Sequence, residues 1–200
     1  MKPMRLPRFL GLSLLLLLVL MPVWYVYSAH FAKVVIEGAG WVLQSGFDWA
    51  KGVQTDNTIG VLQTDLRTTI RLPDGSIRVG KLAPRLDYRP SGYGLVIFWA
   101  LLLASFPVRW WQKLLAGTFV MLSIQICTVC IQWLNDVFNK ASQEVALQAV
   151  PPEWAREAVA FLFHFNIFIL TPLAPVLLWF VLDRDFVKRL WSDLGLIPTA

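Results

Sequence analysis

Four apolar stretches dominate the 200-residue chain, and they cover residues 9–31, 92–108, 114–133 and 158–182. About 20 apolar residues, at a rise of about 1.5 Å each, are needed to cross the roughly 30 Å hydrocarbon layer of a bilayer. Only 16% of the residues are charged, whereas soluble domains average about 25%. The sequence therefore predicts an integral membrane protein, mainly α-helical, with four transmembrane helices, whose main partner is the lipid bilayer.

Lys and Arg in the short connections predict the orientation, because these residues accumulate on the cytoplasmic side. Residues 1–8, 109–113 and 184–189 each carry at least two basic residues, and the first two of these segments contain no acid. Both termini are therefore expected in the cytoplasm, and residues 32–91 and 140–156 outside it. The first stretch continues through Trp24 and places the bulky Tyr27 where a signal peptidase site needs a small residue, so we expect a retained anchor rather than a cleaved signal.

The chain divides into three regions: residues 1–31 with the first span, an extracytoplasmic segment 32–91, and residues 92–200 with three further spans. Within the second region, glycines among apolar residues at positions 34–49 suggest a short helix at the membrane surface. Alternation over residues 69–79 around Pro73-Asp74-Gly75-Ser76 predicts a β-hairpin, in which Ile70 and Val79 share a face opposite Thr69. With residues 59–61 added, the pattern predicts a three-stranded meander whose apolar face needs a cover.

The same segment is basic, since residues 51–89 contain seven Lys and Arg against four Asp. Arg71, Arg78 and Lys81 are candidates for a face that attracts anionic headgroups or an exported polypeptide segment. The alternative is the ordinary solvated face of a small domain. The net charge of +5 does not indicate nucleic-acid binding, because no basic run with interleaved aromatic residues is present.

Polar residues within the spans are the remaining candidates, because each one is costly in lipid unless it is paired or useful. Cys127 and Cys130 lie three residues apart and share a helix face, which allows a redox pair or half of a metal site. A mid-membrane setting disfavours the thiolate, and zinc needs four ligands whereas only two His are present. We therefore predict two packing residues, with no metal and no cofactor. The alternative is a thiol-dependent membrane enzyme that uses Cys127 or Cys130 with His164.

The fourth span contains Pro172 and Pro175, which remove backbone donors and clash with the preceding turn, so the helix should kink or open there. Carbonyl groups freed by the prolines require neighbours such as Asn166. A kink that fits neighbouring helices explains the prolines most simply. A discontinuous helix can also line a transport site, which makes a small-solute transporter a further alternative.

Two segments carry a resemblance to a known family: residues 93–105, YGLVIFWALLLAS, and residues 172–179, PLAPVLLW, followed by Asp183-Arg184-Asp185-Phe186. The chain resembles the exosortase H-associated membrane proteins of bacteria. The resemblance implies an inner-membrane protein beside a sorting enzyme that processes exported proteins. Exosortases resemble enzymes with a catalytic Cys, Arg and His at the outer face, and no such residue carries over here. The expected function is a non-catalytic accessory or assembly factor in envelope protein sorting.

Overall fold

The computed structural model describes residues 6–71 and 77–193 of the chain. Its first helix, α1, runs from Leu6 to Gly46 without interruption. At about 1.5 Å per residue it is about 60 Å long, roughly twice the thickness of the hydrocarbon layer. The structure therefore differs from the expected separate surface helix, since residues 34–46 continue α1. The glycines do not end the helix because Val35, Ile36 and Ala39 are fully buried against its neighbours, and packing outweighs helix propensity.

The remaining helices follow the sheet region. They are α2 (Arg89–Ser105), α3 (Trp110–Asn135), α4 (Gln143–Ala149), α5 (Glu153–Phe165), α6 (Thr171–Leu182) and α7 (Arg184–Asp193). Two π-helical turns continue neighbouring α-helices: π1 (Asp136–Lys140) extends α3, and π2 (Asn166–Leu170) joins α5 to α6.

Three helices in the described ranges are long and apolar enough to cross a membrane, whereas the sequence predicts four. They are Leu6–Gly46, Trp110–Lys140 and Glu153–Leu182. The second apolar stretch instead forms the 17-residue α2, which ends at Ser105 because Phe106 adopts the left-handed conformation with a φ of 46°. Pro107 follows and cannot continue the helix. A fourth span is therefore not established by helix length.

Helix α2 lies at the centre of the bundle and packs against α1, α3 and α6. It runs antiparallel to α3, since Gly94 lies beside Met121 and Phe98 beside Gly117. The indole Nε1 of Trp99 donates a hydrogen bond to the Thr118 hydroxyl at 2.9 Å. The central position explains why nine of its 17 residues are buried.

In the part of the chain that the structure describes, five short strands form two antiparallel sheets: β1 (Ala50–Asp56), β2 (Ile59–Thr64), β3 (Arg67–Arg71), β4 (Ile77–Lys81) and β5 (Arg85–Asp87). The three-stranded sheet has the order β1-β2-β5, and β3 pairs only with β4. The predicted meander is therefore wrong in its connectivity, because residues 59–61 pair with β1 and β5 rather than with the hairpin. The unpredicted β1–β2 hairpin turns at Asn57, whose φ of 56° suits a tight two-residue turn.

The β3–β4 pairing has a different register from the predicted one. Thr69 pairs with Val79, and Arg71 pairs with Ile77. Since paired residues of an antiparallel ladder share a face, Val79 lies on the face of Thr69 and not on the opposite one. A change of one residue in register exchanges the two faces, and Val79 is accordingly 67% exposed. The expected turn at residues 73–76 lies outside the described residues.

The three-stranded sheet rests on the second half of α1. Gly60 lies against Ile36, and Gly40 lies against Val53, so closely that a Cβ atom at Gly40 would stand 2.2 Å from the Val53 Cγ2. Glycine at these positions lets backbone and side chains approach. The apolar cover that the sheet needs is therefore supplied by α1 itself.

Candidate functional site

The charged surface of the hairpin is organised around one carboxylate. Lys81 Nζ lies 2.6 Å from Asp65 Oδ1, and Lys51 Nζ lies 3.5 Å from Asp65 Oδ2. The hydrogen bond from Lys81, supported by the charge of Lys51, holds the pKa of Asp65 below its ordinary value. Lys81 is thus placed in an ion-pair network. The other two candidates, Arg71 and Arg78, have side chains that lie outside the described part of the structure. The pairing of β3 with β4 places these two residues on opposite faces of the hairpin, so the expected shared face is wrong.

The hairpin is attached to the short helix α4. The Thr69 hydroxyl donates to Glu144 Oε2 at 2.8 Å. The Gln148 side chain bonds both backbone groups of Arg67: its Oε1 accepts from the N–H at 2.8 Å, and its Nε2 donates to the carbonyl at 2.9 Å. These contacts join residues far apart in sequence, so the hairpin has a defined position next to the connection between α3 and α5.

Cys127 and Cys130 have different surroundings although they share a helix face. Cys127 is exposed on the surface of α3, whereas Cys130 is buried. The Cys130 Sγ lies 3.6 Å from the Ala39 carbonyl oxygen of α1, which is a weak thiol hydrogen bond between packed helices. The structure therefore places Cys130 in a helix–helix contact.

His164 lies on the exposed surface of α5. Its Nδ1 lies 2.7 Å from the Ala160 carbonyl oxygen of the preceding turn, and its ring stacks against Phe168 with 6.3 Å between centroids. Because a carbonyl can only accept, Nδ1 carries a proton in this arrangement, and Nε2 is the acceptor of the neutral ring. Neither cysteine is its hydrogen-bond partner within the described ranges, and the structure does not bring His164 and Cys130 together as a pair.

Asn166 is the centre of a buried polar cluster and is only 2% exposed. Its Oδ1 accepts from the hydroxyls of Thr128 at 3.0 Å and Thr171 at 3.1 Å, and so ties α3 to the fourth apolar stretch. Asn166 also begins π2, where the Thr171 N–H donates to the Asn166 carbonyl. The helix thus opens immediately before Pro172, as the prolines predict. Such π-helical turns are frequent at functional sites.

A second polar cluster was not predicted as a unit. The Tyr88 hydroxyl donates to Gln125 Oε1 at 2.8 Å, and both residues are buried. Gln125 Nε2 donates to the Ser91 carbonyl at 3.3 Å. Burial raises the pKa of Tyr88, so its hydroxyl keeps its proton. The sequence signal was Gln125 itself, a polar residue in an apolar stretch, but its partner lies 37 residues earlier.

An ion pair closes the opposite end of the bundle. Lys113 Nζ lies 3.0 Å from Asp183 Oδ1, and the Asp183 side chain is almost fully buried. The rings of Phe9, Trp179 and Phe186 pack beside it, with 5.1 Å between the centroids of Phe9 and Trp179. An acid directly after an apolar stretch was the available signal for this pair.

These features describe a mainly helical membrane protein in which a small antiparallel sheet packs on the second half of the first helix. A family model, that of the exosortase H-associated membrane proteins, matches residues 3–186. The chain belongs to this family. The match covers both sheets, all helices through α6 and the start of α7. No match was found among curated proteins or among solved structures.

Proposed function

We propose that the chain is a non-catalytic accessory or assembly protein that acts alongside an exosortase-type enzyme in protein sorting at the bacterial envelope. The observation that carries this proposal is the family match, which spans nearly the whole chain and whose description names an association with exosortase H. The partner is a membrane enzyme, so the two proteins meet side by side at the level of the lipid. The docking surface should therefore be found on lipid-facing helix sides.

An aromatic stripe on α5 and π2 is the best candidate for that docking surface. Phe161, Phe165 and Phe168 are exposed, and Phe168 is 72% exposed. The rings of Phe161 and Phe165 stack with 6.1 Å between their centroids. Spacings of four and three residues place all three on one side of the helix. Lipid accommodates such a stripe equally well, so the stripe alone does not indicate a protein partner.

His164 supplies the reason to choose this side. It lies within the apolar stretch, exposed beside the stripe, with Nδ1 bonded to its own helix and Nε2 free to accept. A polar atom that faces hydrocarbon is costly, and polar residues within spans normally face protein or water. A donor from a partner helix would satisfy Nε2. Hydrogen bonds between helices in membranes contribute about 0.6 kcal/mol on average and up to about 1.7.

Co-purification in mild detergent with the exosortase of the same bacterium tests this surface. His164→Leu should lower recovery of the enzyme by about threefold to twentyfold, the range equivalent to about 0.6–1.7 kcal/mol for a hydrogen bond between helices. Phe168→Ala should also lower recovery, because it removes packing contact between the helices. Phe119→Ala is the matched control, because Phe119 is an equally exposed aromatic residue on α3, at 73%. Equal recovery with all three variants would contradict the docking surface. No recovery of the enzyme by the unaltered chain would contradict the accessory function itself.

We place the protein in the inner membrane with four spans and both termini in the cytoplasm. Helix α2, at 17 residues, is about 25 Å long and sits at the lower limit for a spanning helix. Its position among α1, α3 and α6 supports insertion, since its sides contact other helices rather than lipid alone. A reporter that is active only outside the cytoplasm should be active when it is fused at Asn57 or Val150 and inactive when it is fused at Arg109. An outside signal at Arg109 would exclude the fourth span.

The hairpin cations Arg71, Arg78 and Lys81 are proposed to attract the exported polypeptide or the outer loops of the enzyme. By the pairing of β3 with β4, Arg71 and Lys81 lie on the face of Val79, whereas Arg78 lies on the opposite face. Its attachment to α4 supports a fixed position beside the membrane. Exchange of the three residues for Gln should weaken photocrosslinking from Val79 to a sorting substrate, and added salt should weaken it in the unaltered protein. Crosslinking that does not respond to either change would contradict the electrostatic attraction.

One double variant distinguishes the accessory proposal from the alternative that the chain is a thiol-dependent enzyme. With Cys127→Ala and Cys130→Ala combined, the accessory proposal expects normal sorting of exported proteins once the amount of chain in the membrane is matched. Loss of sorting at a matched amount would favour thiol chemistry instead.

A further inference from the structure

An apolar cleft of about 470 Å³ opens at the end of the bundle where α1 begins and α2 passes into α3. Its walls are Leu12, Leu16, Leu103, Phe106, Pro107 and Trp110. The volume falls within the range of about 300–1,000 Å³ that is usual for small-molecule sites. All six wall residues are apolar or aromatic, so the cleft accepts a hydrocarbon chain rather than a polar ligand.

The mouth of the cleft is basic. On α1, Arg8 precedes the wall residues Leu12 and Leu16 by one and two helical turns, which places all three on one helix side. Arg109 stands in the connection between two further wall residues, Pro107 and Trp110. Both arginines are exposed, and among the described side chains neither takes part in an ion pair.

Helix α7 carries further cations. Phe9 contacts Phe186 with 5.0 Å between ring centroids, so α7 lies beside the start of α1. The nearest buried acid, Asp183, is already paired with Lys113, and Asp185 is the one exposed acid that accompanies the cations of α7 between residues 184 and 192. We name this region the basic end. Its exposed cations are Arg8, Arg109, Arg184, Lys188 and Arg189.

We infer that the basic end binds an anionic phospholipid, with one acyl chain in the apolar cleft and the headgroup phosphate between Arg8 and Arg109. Charge complementarity selects this occupant, because a second transmembrane helix would fill the cleft but leave the two arginines unpaired. The exposed Trp110 at the cleft wall suits the headgroup level, where an indole ring contacts both apolar and polar groups. Basic pockets between helices are known to bind anionic headgroups in this manner.

Native mass spectrometry of the full chain in detergent tests the assignment, with dioleoyl phosphatidylglycerol and dioleoyl phosphatidylcholine as probes. The first phosphatidylglycerol should bind at least tenfold more tightly than the first phosphatidylcholine. Each Lys or Arg near a headgroup contributes about fivefold, so Arg8→Gln combined with Arg109→Gln should lower the phosphatidylglycerol affinity by about 25-fold and leave phosphatidylcholine binding unchanged. Arg156→Gln, an exposed arginine in the α4–α5 region, is the matched control.

Variants of the cleft complete the test. Leu16→Trp should fill the cleft and weaken both lipids, and Leu103→Phe provides a second variant if the first fails to fold. Equal affinity for the two lipids would overturn the inference. Displacement of phosphatidylglycerol by inorganic phosphate at equal concentration would show a headgroup site without a bound chain, and dimer formation that is abolished by Leu16→Trp would assign the cleft to a second copy. Either result would also overturn it.

Discussion

Replacement of Gly117 by alanine should destabilise the bundle at the contact between α2 and α3. A Cβ atom built at Gly117 would stand 2.0 Å from the Phe98 Cζ. Ordinary carbon contacts begin at about 3.5 Å, so the ring or the helix must move by about 1.5 Å. Phe98 is completely buried in a cluster with Leu95, Leu102 and Met121, so its ring can move only if neighbouring side chains move with it.

Two contributions of opposite sign determine how much Gly117→Ala changes the free energy of unfolding. Alanine favours a helix over glycine by about 1 kcal/mol, whereas overpacking of a well-packed core costs about 1–3 kcal/mol and occasionally more. A displacement of this size in a fully buried layer belongs at the upper end of that range. The expected net loss of unfolding free energy is therefore about 1–2 kcal/mol. For a chain of this length, each kcal/mol corresponds to about 2–4 °C in Tm.

Apparent Tm values in one detergent, followed by tryptophan fluorescence, provide the assay. Gly117→Ala should melt about 2–8 °C below the unaltered protein. Gly11→Ala on α1 is the matched control, because a Cβ atom there meets nothing within 4 Å, and it should leave the Tm unchanged or raise it slightly. Combining Gly117→Ala with Phe98→Leu should recover part of the loss, since the smaller side chain makes room. If both glycine variants behave alike, the close packing of α2 against α3 is refuted.

Two further predictions concern single polar contacts. Tyr88→Phe leaves the buried Gln125 Oε1 without its donor, at an expected cost of about 1–3 kcal/mol, whereas Tyr27→Phe at an exposed position should not change the apparent Tm. Asp65 has a lowered pKa because of Lys81, so its stabilising contribution is complete above the unfolded pKa near 4 and is lost as the pH falls through the lower folded value. The Tm of Asp65→Asn should lie slightly below that of the unaltered protein at pH 6, and the difference should shrink as the pH falls through the lowered pKa of Asp65; a difference that stays constant with pH would contradict the pairing.

The sequence predicted those parts of the fold that depend on local composition. The length of the apolar stretches predicts the long helices α1 and α3, and Pro172 and Pro175 predict the opened turn before α6. Alternation gives strands β3 and β4. In each case the physical cause, such as burial in lipid or a missing backbone donor, acts within one segment and is visible in it.

Long-range packing decides what the sequence did not reveal. The continuation of α1 to Gly46 depends on the sheet that covers Val35 and Ile36, and this sheet is formed by later residues. The register of β3 and β4 is fixed by contacts such as that of Thr69 with Glu144, which lies 75 residues further on. Local alternation fits two registers equally well, and only the distant partner distinguishes them.

For the candidate site residues too, the sequence predicted the local feature but not the tertiary surroundings. Cys127, Cys130, His164 and Asn166 stood out because they are polar or thiol residues in apolar stretches, but their surroundings were not predictable from spacing. A helical repeat places the two cysteines on one side, yet α1 covers only Cys130. Which part of a helix side is covered by a neighbouring helix depends on the tertiary structure. The sequence pattern around an exposed cysteine is therefore the same as that around a buried one.

Satisfaction of hydrogen bonds separates the polar residues of the spans into two groups. Gln125 and the Asn166 carboxamide oxygen are buried and have donors within the chain, so they are explained as internal ties between helices. His164 is exposed, and only one of its ring nitrogens has a partner among residues 6–71 and 77–193. Lipid offers no donor for the other nitrogen. The buried Asn166 Nδ2 also lacks a partner among the described residues, but it is enclosed by the bundle. The exposed His164 nitrogen is open to a neighbouring protein, and this difference is why we assign the partner to the surface of α5.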